Sequence, residues 1–207
     1  MPPTVSLARV VERTDAEGPG TRFAVWVQGC SIRCPGCFNP QLWTTRGGAA
    51  TDPFELAGRV PDDVDGVTLL GGEPFEQPAA LAVFAREVRR RGLSVMAFSG
   101  YTLDTLQTRA ETDAGTAALL AETDLLIDGP YLRDEPDHER PWVGSRNQGF
   151  RTLTERYAHL ADRWTTLPDR IEVHVASDGT TSVNGWADTA ALEDLLDGMR
   201  RVPPGRR

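Results

Sequence analysis

The amino-acid sequence predicts an α/β fold, in the form of a partial, open parallel α/β barrel with a short C-terminal β-hairpin and helix. Short apolar runs bounded by glycine alternate with stretches of helical periodicity, which is typical of βαβ units and a parallel sheet. In 207 residues only about four to six strands fit, which is too few for a closed eight-stranded barrel of about 250 residues.

Four apolar runs predict the strands, and each is short enough to be buried on both faces of a sheet. They are Phe23–Gly29, Gly66–Gly72, Ser94–Gly100 and Asp124–Pro130. Between the second and third, Pro78–Gly92 places its apolar residues at helical spacing, with arginines on the opposite face and Gly92 as a stop. Three further segments predict helices, namely Asp52–Gly58, Leu103–Arg109 and Ala114–Ala121.

The pattern changes after Pro130, so we divide the chain into a core, residues 1–150, and a C-terminal extension of the same domain, residues 151–207. Leu132–Asn147 is polar and predicts a long functional loop. The extension predicts a helix, then a hairpin around the turn signal Asp178–Gly179, then a closing helix. The four predicted segments are Thr152–Trp164, Ile171–Ala176, Thr180–Trp186 and Thr189–Met199.

Composition excludes several classes of function. The formal net charge of −8 argues against non-specific binding to nucleic acid or to an anionic membrane. The sequence has no apolar run long enough to span a bilayer. Met1–Val11 lacks the basic start and long apolar stretch of a signal peptide, so we expect a cytoplasmic protein.

The three cysteines of the chain, Cys30, Cys34 and Cys37, lie within eight residues, in the spacing C-x3-C-x2-C. Three thiolates on one tight loop can bind three irons of a cubane iron–sulfur cluster. With no fourth cysteine in the chain, one iron would keep an open position for a ligand. The alternatives are a structural zinc site completed by a histidine, buried structural cysteines, and a redox sensor.

The predicted strands all end in residues suited to a binding site. In parallel sheets, ligands lie beyond the carboxyl ends of the strands. Those ends read Gln28–Cys30, Gly71–Glu73, Ser99–Tyr101 and Asp128–Gly129. Glycines allow a backbone to approach a ligand closely, and Glu73 can accept a hydrogen bond from an ammonium group.

The cysteine spacing, followed by Gly71-Gly72-Glu73-Pro74, resembles the radical S-adenosylmethionine (SAM) superfamily, and more closely its branch of anaerobic ribonucleotide reductase activating enzymes. The motifs that carry the resemblance are Gly29-Cys30, Cys34-Pro35-Gly36-Cys37, Asn39, Trp43, Ser99-Gly100-Tyr101-Thr102, Asp128-Gly129-Pro130 and Gly144-Ser145-Arg146-Asn147-Gln148. One departure from the wider superfamily is Gly36, where a bulky apolar residue often covers the adenine. The sequence does not show which residue replaces it.

The resemblance implies a fold of radical SAM type and two cofactors, a [4Fe–4S] cluster held by the three cysteines and SAM. It implies that Gly71, Gly72, Glu73 and Pro74 bind the amino group of SAM. Ser99 would contact its carboxylate or ribose. Phe38, Asn39, Asp128 and Asn147 complete the predicted cofactor-binding set. Alternative roles stay open: a strand-end turn for Glu73, a turn cap for Asp128, and an ordinary polar loop around Asn147.

The resemblance also implies reductive cleavage of SAM to methionine and a 5′-deoxyadenosyl radical, and it leaves the target open. The first hypothesis is an activating enzyme for a glycyl-radical protein. The second is a biosynthetic enzyme for a small molecule or peptide, with Arg151–Trp186 as a lid. The third is a non-catalytic zinc or cluster-binding module. An electron donor such as flavodoxin or ferredoxin is the other expected partner, with neither nucleic acid nor membrane.

Overall fold

The computed structural model describes residues 3–175, 179, 181–185, 193, 194 and 197, which form a mixed α/β fold around a seven-stranded sheet and a separate two-stranded sheet. The strands are β1 Val5–Thr14, β2 Arg22–Val27, β3 Ala49–Thr51, β4 Gly66–Gly71, β5 Ser94–Ser99, β6 Leu125–Asp128, β7 Gly149–Thr152, β8 Glu172–Val175 and β9 Thr181–Asn184. The helices are α1 Pro53–Gly58, α2 Pro78–Arg90, α3 Leu103–Ala110 and α4 Ala114–Glu122.

The large sheet has the order β3-β1-β2-β4-β5-β6-β7. Its four central strands, β2, β4, β5 and β6, run parallel, and they are the four strands that the sequence predicted. The three outer strands pair antiparallel and were not predicted. The sheet is therefore parallel at its centre and mixed as a whole.

The two faces of the sheet bury different sets of side chains, because neighbouring residues of a strand point to opposite faces. One face packs against the helices through residues such as Val25, Leu69 and Val95. The other face carries Trp26, Leu70, Met96 and Ile127. It is covered by the long loop and by two 3₁₀ turns of the extension, Glu155–Leu160 and Trp164–Thr166.

Side-chain caps fix where three of the helices begin. The carboxylate of Asp52 accepts from the backbone N–H groups of Phe54 and Glu55 at the start of α1. Thr102 caps α3 and Asp113 caps α4 in the same way. Each such cap satisfies a donor that the first turn leaves unpaired, which is why these short helices begin at the predicted positions.

The extension differs from its prediction in one respect. The helix predicted over Thr152–Trp164 is wrong: β7 pairs with β6 up to Thr152, and the rest forms the two 3₁₀ turns. The apolar spacing of that segment is real, since Tyr157, Leu160 and Trp164 all face the sheet. The predicted hairpin is confirmed by the pairing of β8 with β9.

Two other predictions concern the rest of the chain. The loop Leu132–Asn147 has no regular element other than a single bridge between Pro136 and Ser145, as expected. Most of the predicted closing helix, Thr189–Met199, lies outside the described residues. Within the described part of the chain, every helix is too short or too polar to cross a lipid bilayer.

Candidate functional site

The three cysteines open into a cavity of about 200 Å³ at the carboxyl ends of the parallel strands. Gly71, Ser99 and Gly129, which end or directly follow β4, β5 and β6, form its floor. A larger cavity of about 650 Å³ lies at the amino ends of β2 and β4, lined by Thr21 and Asp65. We assign function to the smaller cavity, because it holds the thiols and lies where ligands bind in parallel sheets.

The cysteine loop follows β2 through a backbone that ordinary residues rarely adopt. Gly29 and Gly36 have φ values of 104° and 83°, and Arg33 has a φ of 53°. A positive φ at a residue other than glycine stores strain, and such strain concentrates at functional sites. The backbone N–H of Cys37 donates to the carbonyl of Cys34 at 3.0 Å, which closes the turn that brings these two thiols together.

Backbone N–H groups lie beside all three sulfurs. Cys37 accepts a hydrogen bond from Asn39 at 3.4 Å, and the N–H groups of Ile32 and Arg33 near Cys30 and of Tyr131 near Cys34 favour the thiolate forms. Hydrogen bonds of this kind to cysteine sulfurs are a feature of iron–sulfur sites, where they help to set the reduction potential. Half-buried thiols that are already surrounded by donors fit the ligands of a cluster.

Burial raises the pKa of the Cys30 and Cys34 thiols, because it penalises the thiolate. Iron ligation removes the proton and supplies the missing positive charge. Among the described residues, no three histidine, cysteine, aspartate or glutamate side chains surround one common point for a single metal ion. A cubane binds each thiolate through a different iron, so its three sulfurs need not surround one common point.

The glycine pair after β4 lets two backbones approach each other. A Cβ on Gly71 would lie 2.8 Å from the Cα of Trp26, and a Cβ on Gly72 would lie 2.2 Å from the carbonyl oxygen of Gly29. Both contacts are to backbone, which cannot move aside. The pair therefore holds the GGEP segment against β2 and the start of the cysteine loop, and both glycines also line the cavity.

Glu73 lies at the floor of the cavity with only 1% of its surface exposed. Its Oε1 accepts from the Phe75 N–H and the Ser99 hydroxyl, both at 2.9 Å, and its Oε2 accepts from the Gly100 N–H at 2.8 Å. Burial raises its pKa to about 7, and these three donors only partly oppose the shift. A cation that entered the cavity would favour the ionised carboxylate.

Ser99 connects Glu73 to the end of β5. Its hydroxyl donates to Glu73 and accepts from the N–H of Tyr101 at 3.1 Å. Phe38 and Asn39 line the cavity beside the last cysteine, and Phe38 is 46% exposed. The structure thus gathers nine predicted residues around one cavity, namely Cys30, Cys34, Cys37, Phe38, Asn39, Gly71, Gly72, Glu73 and Ser99.

Three predicted residues do not line this cavity. Pro74 is buried at the first position of a 3₁₀ turn. Asp128 accepts from the N–H of Leu103 at 2.7 Å and from Arg151 at 2.8 Å, so its carboxylate caps α3 and ties β6 to β7. Asn147 donates to the carbonyl of Pro130 at 2.7 Å. Both partners lie outside the turn that follows Asp128, so these contacts correspond neither to the cavity role nor to the turn-cap alternative.

Several cavity residues were not in the predicted set. Gln148 accepts from the N–H groups of Gly144 and Ser145 and donates to the carbonyl of Gly129, which fixes the loop against the strand end. Trp142, predicted only to pack, also lines the cavity and has a φ of 66°. The others are Ile32, Trp43, Leu70, Phe98, Gly100, Gly129, Tyr131 and Gly144. For Trp43, Gly144 and Gln148 the shared motifs were the available signal.

Comparison with known proteins agrees with this site. Residues 16–151 match the family described as 4Fe-4S single cluster domain. The anaerobic ribonucleoside-triphosphate reductase-activating protein of Vibrio cholerae is 32% identical over 149 residues, which cover 66% of this chain and 91% of that protein. The protein of the same name from Pasteurella multocida is 34% identical, over 67% of this chain and 91% of the relative.

A solved structure, QueE from Escherichia coli, is 18% identical, with a TM-score of 0.39 over 48% of this chain and 54% of that one. This likeness is too weak to support an argument. The family match, by contrast, spans the cysteine loop and all four parallel strands.

The chain belongs to the 4Fe–4S single-cluster family, within the radical SAM branch of anaerobic ribonucleotide reductase-activating proteins. It is a radical SAM enzyme, and its cofactors are a [4Fe–4S] cluster and SAM.

Proposed function

We propose that this enzyme activates a glycyl-radical enzyme, such as an anaerobic ribonucleotide reductase, by removing a hydrogen atom from a glycine of that partner. The names of the relatives support the target. The observation that carries the proposal is that the described part of the C-terminal extension does not cover the cysteine cavity. A protein substrate needs an accessible opening, whereas a small substrate is usually enclosed by its pocket.

No described residue after Gln148 lines the cavity. The segment that would serve as a lid lies elsewhere: Leu167, Pro168 and Arg170 line the larger cavity at the amino ends of the strands. The hairpin is held to the turn after β1, where Asp15 N–H donates to Glu172 at 2.7 Å and Gly185 N–H donates to Glu17 at 2.9 Å. These contacts favour the activating role over a lidded biosynthetic enzyme.

The cysteines would hold the cluster, which when bound supplies one electron to break the S–C5′ bond of SAM and generate the 5′-deoxyadenosyl radical. The residues of the chain itself bind SAM and orient it. Glu73 presents a carboxylate for the ammonium of SAM, and Ser99 and Gly100 fix its direction. Phe98 and Trp142 give the cavity apolar walls that exclude water from the reactive centre.

We infer that the parallel strands form a partial, open barrel whose inner face carries the cavity, with residues 1–150 as the core and 151–207 as its extension. Asp128 and Asn147, which contact other parts of the chain, would act on SAM only through the loops that they hold. The electron donor would be a flavodoxin or ferredoxin, and the protein would work in the cytoplasm.

The test mixes reconstituted, reduced enzyme with SAM and an anaerobic ribonucleotide reductase under argon, and records the electron paramagnetic resonance spectrum. We expect a glycine-radical doublet that requires both proteins and SAM. Cys34→Ala should give no doublet, and Glu12→Gln, which changes an exposed side chain of β1, should give the wild-type yield. The activating role would be excluded if the cluster-loaded wild-type enzyme produced no glycine-radical doublet with any glycyl-radical protein encoded in the same genome.

A further inference from the structure

Arg133 lies against the cysteine loop at the point between two cluster ligands. A Cβ built on Gly36 would lie 2.5 Å from Nε of Arg133, 2.8 Å from Nη2 and 3.0 Å from Cζ. The guanidinium therefore packs directly on the backbone between Cys34 and Cys37. Two residues earlier, the backbone N–H of Tyr131 lies beside the sulfur of Cys34 and favours its thiolate, so this segment approaches the loop at two points.

Arg133 has no ion-pair partner among the described residues, although Asp134 and Glu135 follow it in the sequence. Arg140 and Arg151 pair with Asp137 and Asp128 at 2.7 and 2.8 Å. Arg133 forms no ion pair and no side-chain hydrogen bond with any described residue. It is exposed and does not line the cavity, so it contacts the loop from the solvent side.

Gly36 makes this contact possible. The sequence departs from the wider superfamily at Gly36, where a bulky apolar side chain is common. In this chain a Cβ at position 36 would overlap the Arg133 guanidinium. Glycine is also favoured there by its φ of 83°. Gly36 thus leaves the space in which the guanidinium packs against the cysteine loop.

A positive charge packed on the cysteine loop at Gly36 acts on the redox equilibrium of a cluster held by that loop. Three thiolates and a [4Fe–4S] core sum to one negative charge when the core is oxidised and to two when it is reduced, since reduction adds one electron and breaks no bond. A nearby cation stabilises the more negative state more strongly. Solvent and salt weaken the effect at an exposed side chain without abolishing it at contact distance.

We propose that the positive charge of Arg133, whose guanidinium packs on Gly36, raises the reduction potential of the cluster and so eases its reduction before SAM is cleaved. The inference rests on the cluster and is independent of the protein that receives the radical. It assigns a redox role to an arginine outside the SAM cavity. The conservative change Arg133→Lys keeps the charge, and Arg133→Gln removes it at similar length.

The test is a redox titration of reconstituted protein without SAM, followed by electron paramagnetic resonance of the reduced cluster. We expect Arg133→Gln to lower the equilibrium constant for reduction by three- to tenfold, about 30–60 mV for one electron. Arg133→Lys should recover most of the loss. Arg59→Gln, which removes an exposed arginine at the end of α1, should match the wild type.

If Arg133→Gln cannot keep its cluster, Gly36→Ala replaces it, because the new methyl group displaces the guanidinium and should lower the potential in the same direction. A cluster-loaded Arg133→Gln with the wild-type reduction potential would overturn the inference. So would an equal fall in potential in Arg133→Lys and Arg133→Gln, because it would show that the size and packing of the side chain matter and its charge does not. Failure of the wild type to assemble a cluster would instead contradict the cluster assignment itself.

Discussion

Replacing Glu73 with glutamine tests whether the buried carboxylate binds SAM. The change keeps the size of the side chain and removes its charge. A charge-assisted hydrogen bond contributes about 1.5–3 kcal/mol, so loss of the pair with the SAM ammonium should weaken binding by roughly 10- to 150-fold. The cluster should remain, because Glu73 accepts hydrogen bonds from Phe75, Ser99 and Gly100 and from none of the cysteines.

The same change should also lower stability, for a separate reason. Every group that contacts the Glu73 carboxylate is a hydrogen-bond donor. The amide NH₂ of a glutamine would therefore face another donor, either the Gly100 N–H or the Ser99 and Phe75 groups. A buried donor left without a partner costs about 1–3 kcal/mol in the free energy of unfolding. SAM affinity is therefore measured on folded, cluster-loaded protein, and stability is measured separately by denaturant unfolding.

The pH dependence of SAM affinity tests whether the ionised carboxylate of Glu73 binds SAM. The pKa of Glu73 is about 7 in the structure, and only its ionised form pairs with an ammonium. Wild-type affinity for SAM should therefore rise about tenfold between pH 6 and pH 8. Anaerobic calorimetry of wild type, Glu73→Gln and Glu12→Gln, a control at an exposed position of β1, measures this. If Glu73→Gln binds SAM as tightly as the wild type, with the same pH profile, Glu73 is a structural turn residue only.

Three further predictions concern stability. Gly72→Ala should destabilise by about 1–3 kcal/mol in denaturant unfolding, because its Cβ would meet the Gly29 carbonyl; Gly58→Ala, whose Cβ meets nothing within 4 Å, should not. Burial raises the pKa of Glu17 to about 7, so the folded state holds a proton that the unfolded state releases above its ordinary pKa. Its contribution is fully present below about pH 4.5 and is lost as the pH rises from there to about 7, by up to roughly 3 kcal/mol. Unfolding of Glu17→Gln should lack this slope, and equal slopes in both proteins would refute the prediction. Asp128→Asn should lower the melting temperature, because Asp128 binds Leu103 and Arg151, and should change SAM affinity by less than about twofold. A large loss of affinity would show instead that Asp128 belongs to the SAM site.

The central strands could be predicted because each is buried on both faces and reads as a continuous apolar run. The outer strands could not. β1, with the sequence VSLARVVERT, mixes charged and apolar residues because it is half exposed, and β7 has four residues with two polar side chains. Thr152–Trp164 was misread because a 3₁₀ turn brings Tyr157 and Leu160 to one face at a spacing that also suits an α-helix.

The site could be predicted where its residues are close in sequence. The cysteines and the GGEP segment carry their chemistry in short motifs. Tyr131 and Arg133 reach the cysteine loop from about a hundred positions away, and no local pattern records such a contact. Asp128 looked like a ligand-binding carboxylate because its partners, Leu103 and Arg151, come from other segments.

The activity of this enzyme depends most directly on one cluster whose open iron binds SAM. Electron paramagnetic resonance of reconstituted, chemically reduced protein, recorded during titration with SAM, tests this. We predict one cubane per chain, with about four irons, a signal whose shape changes until SAM saturates, and no such signal in Cys34→Ala. A protein that takes up one zinc ion and shows no iron–sulfur signal, or a signal that SAM leaves unchanged, would contradict it.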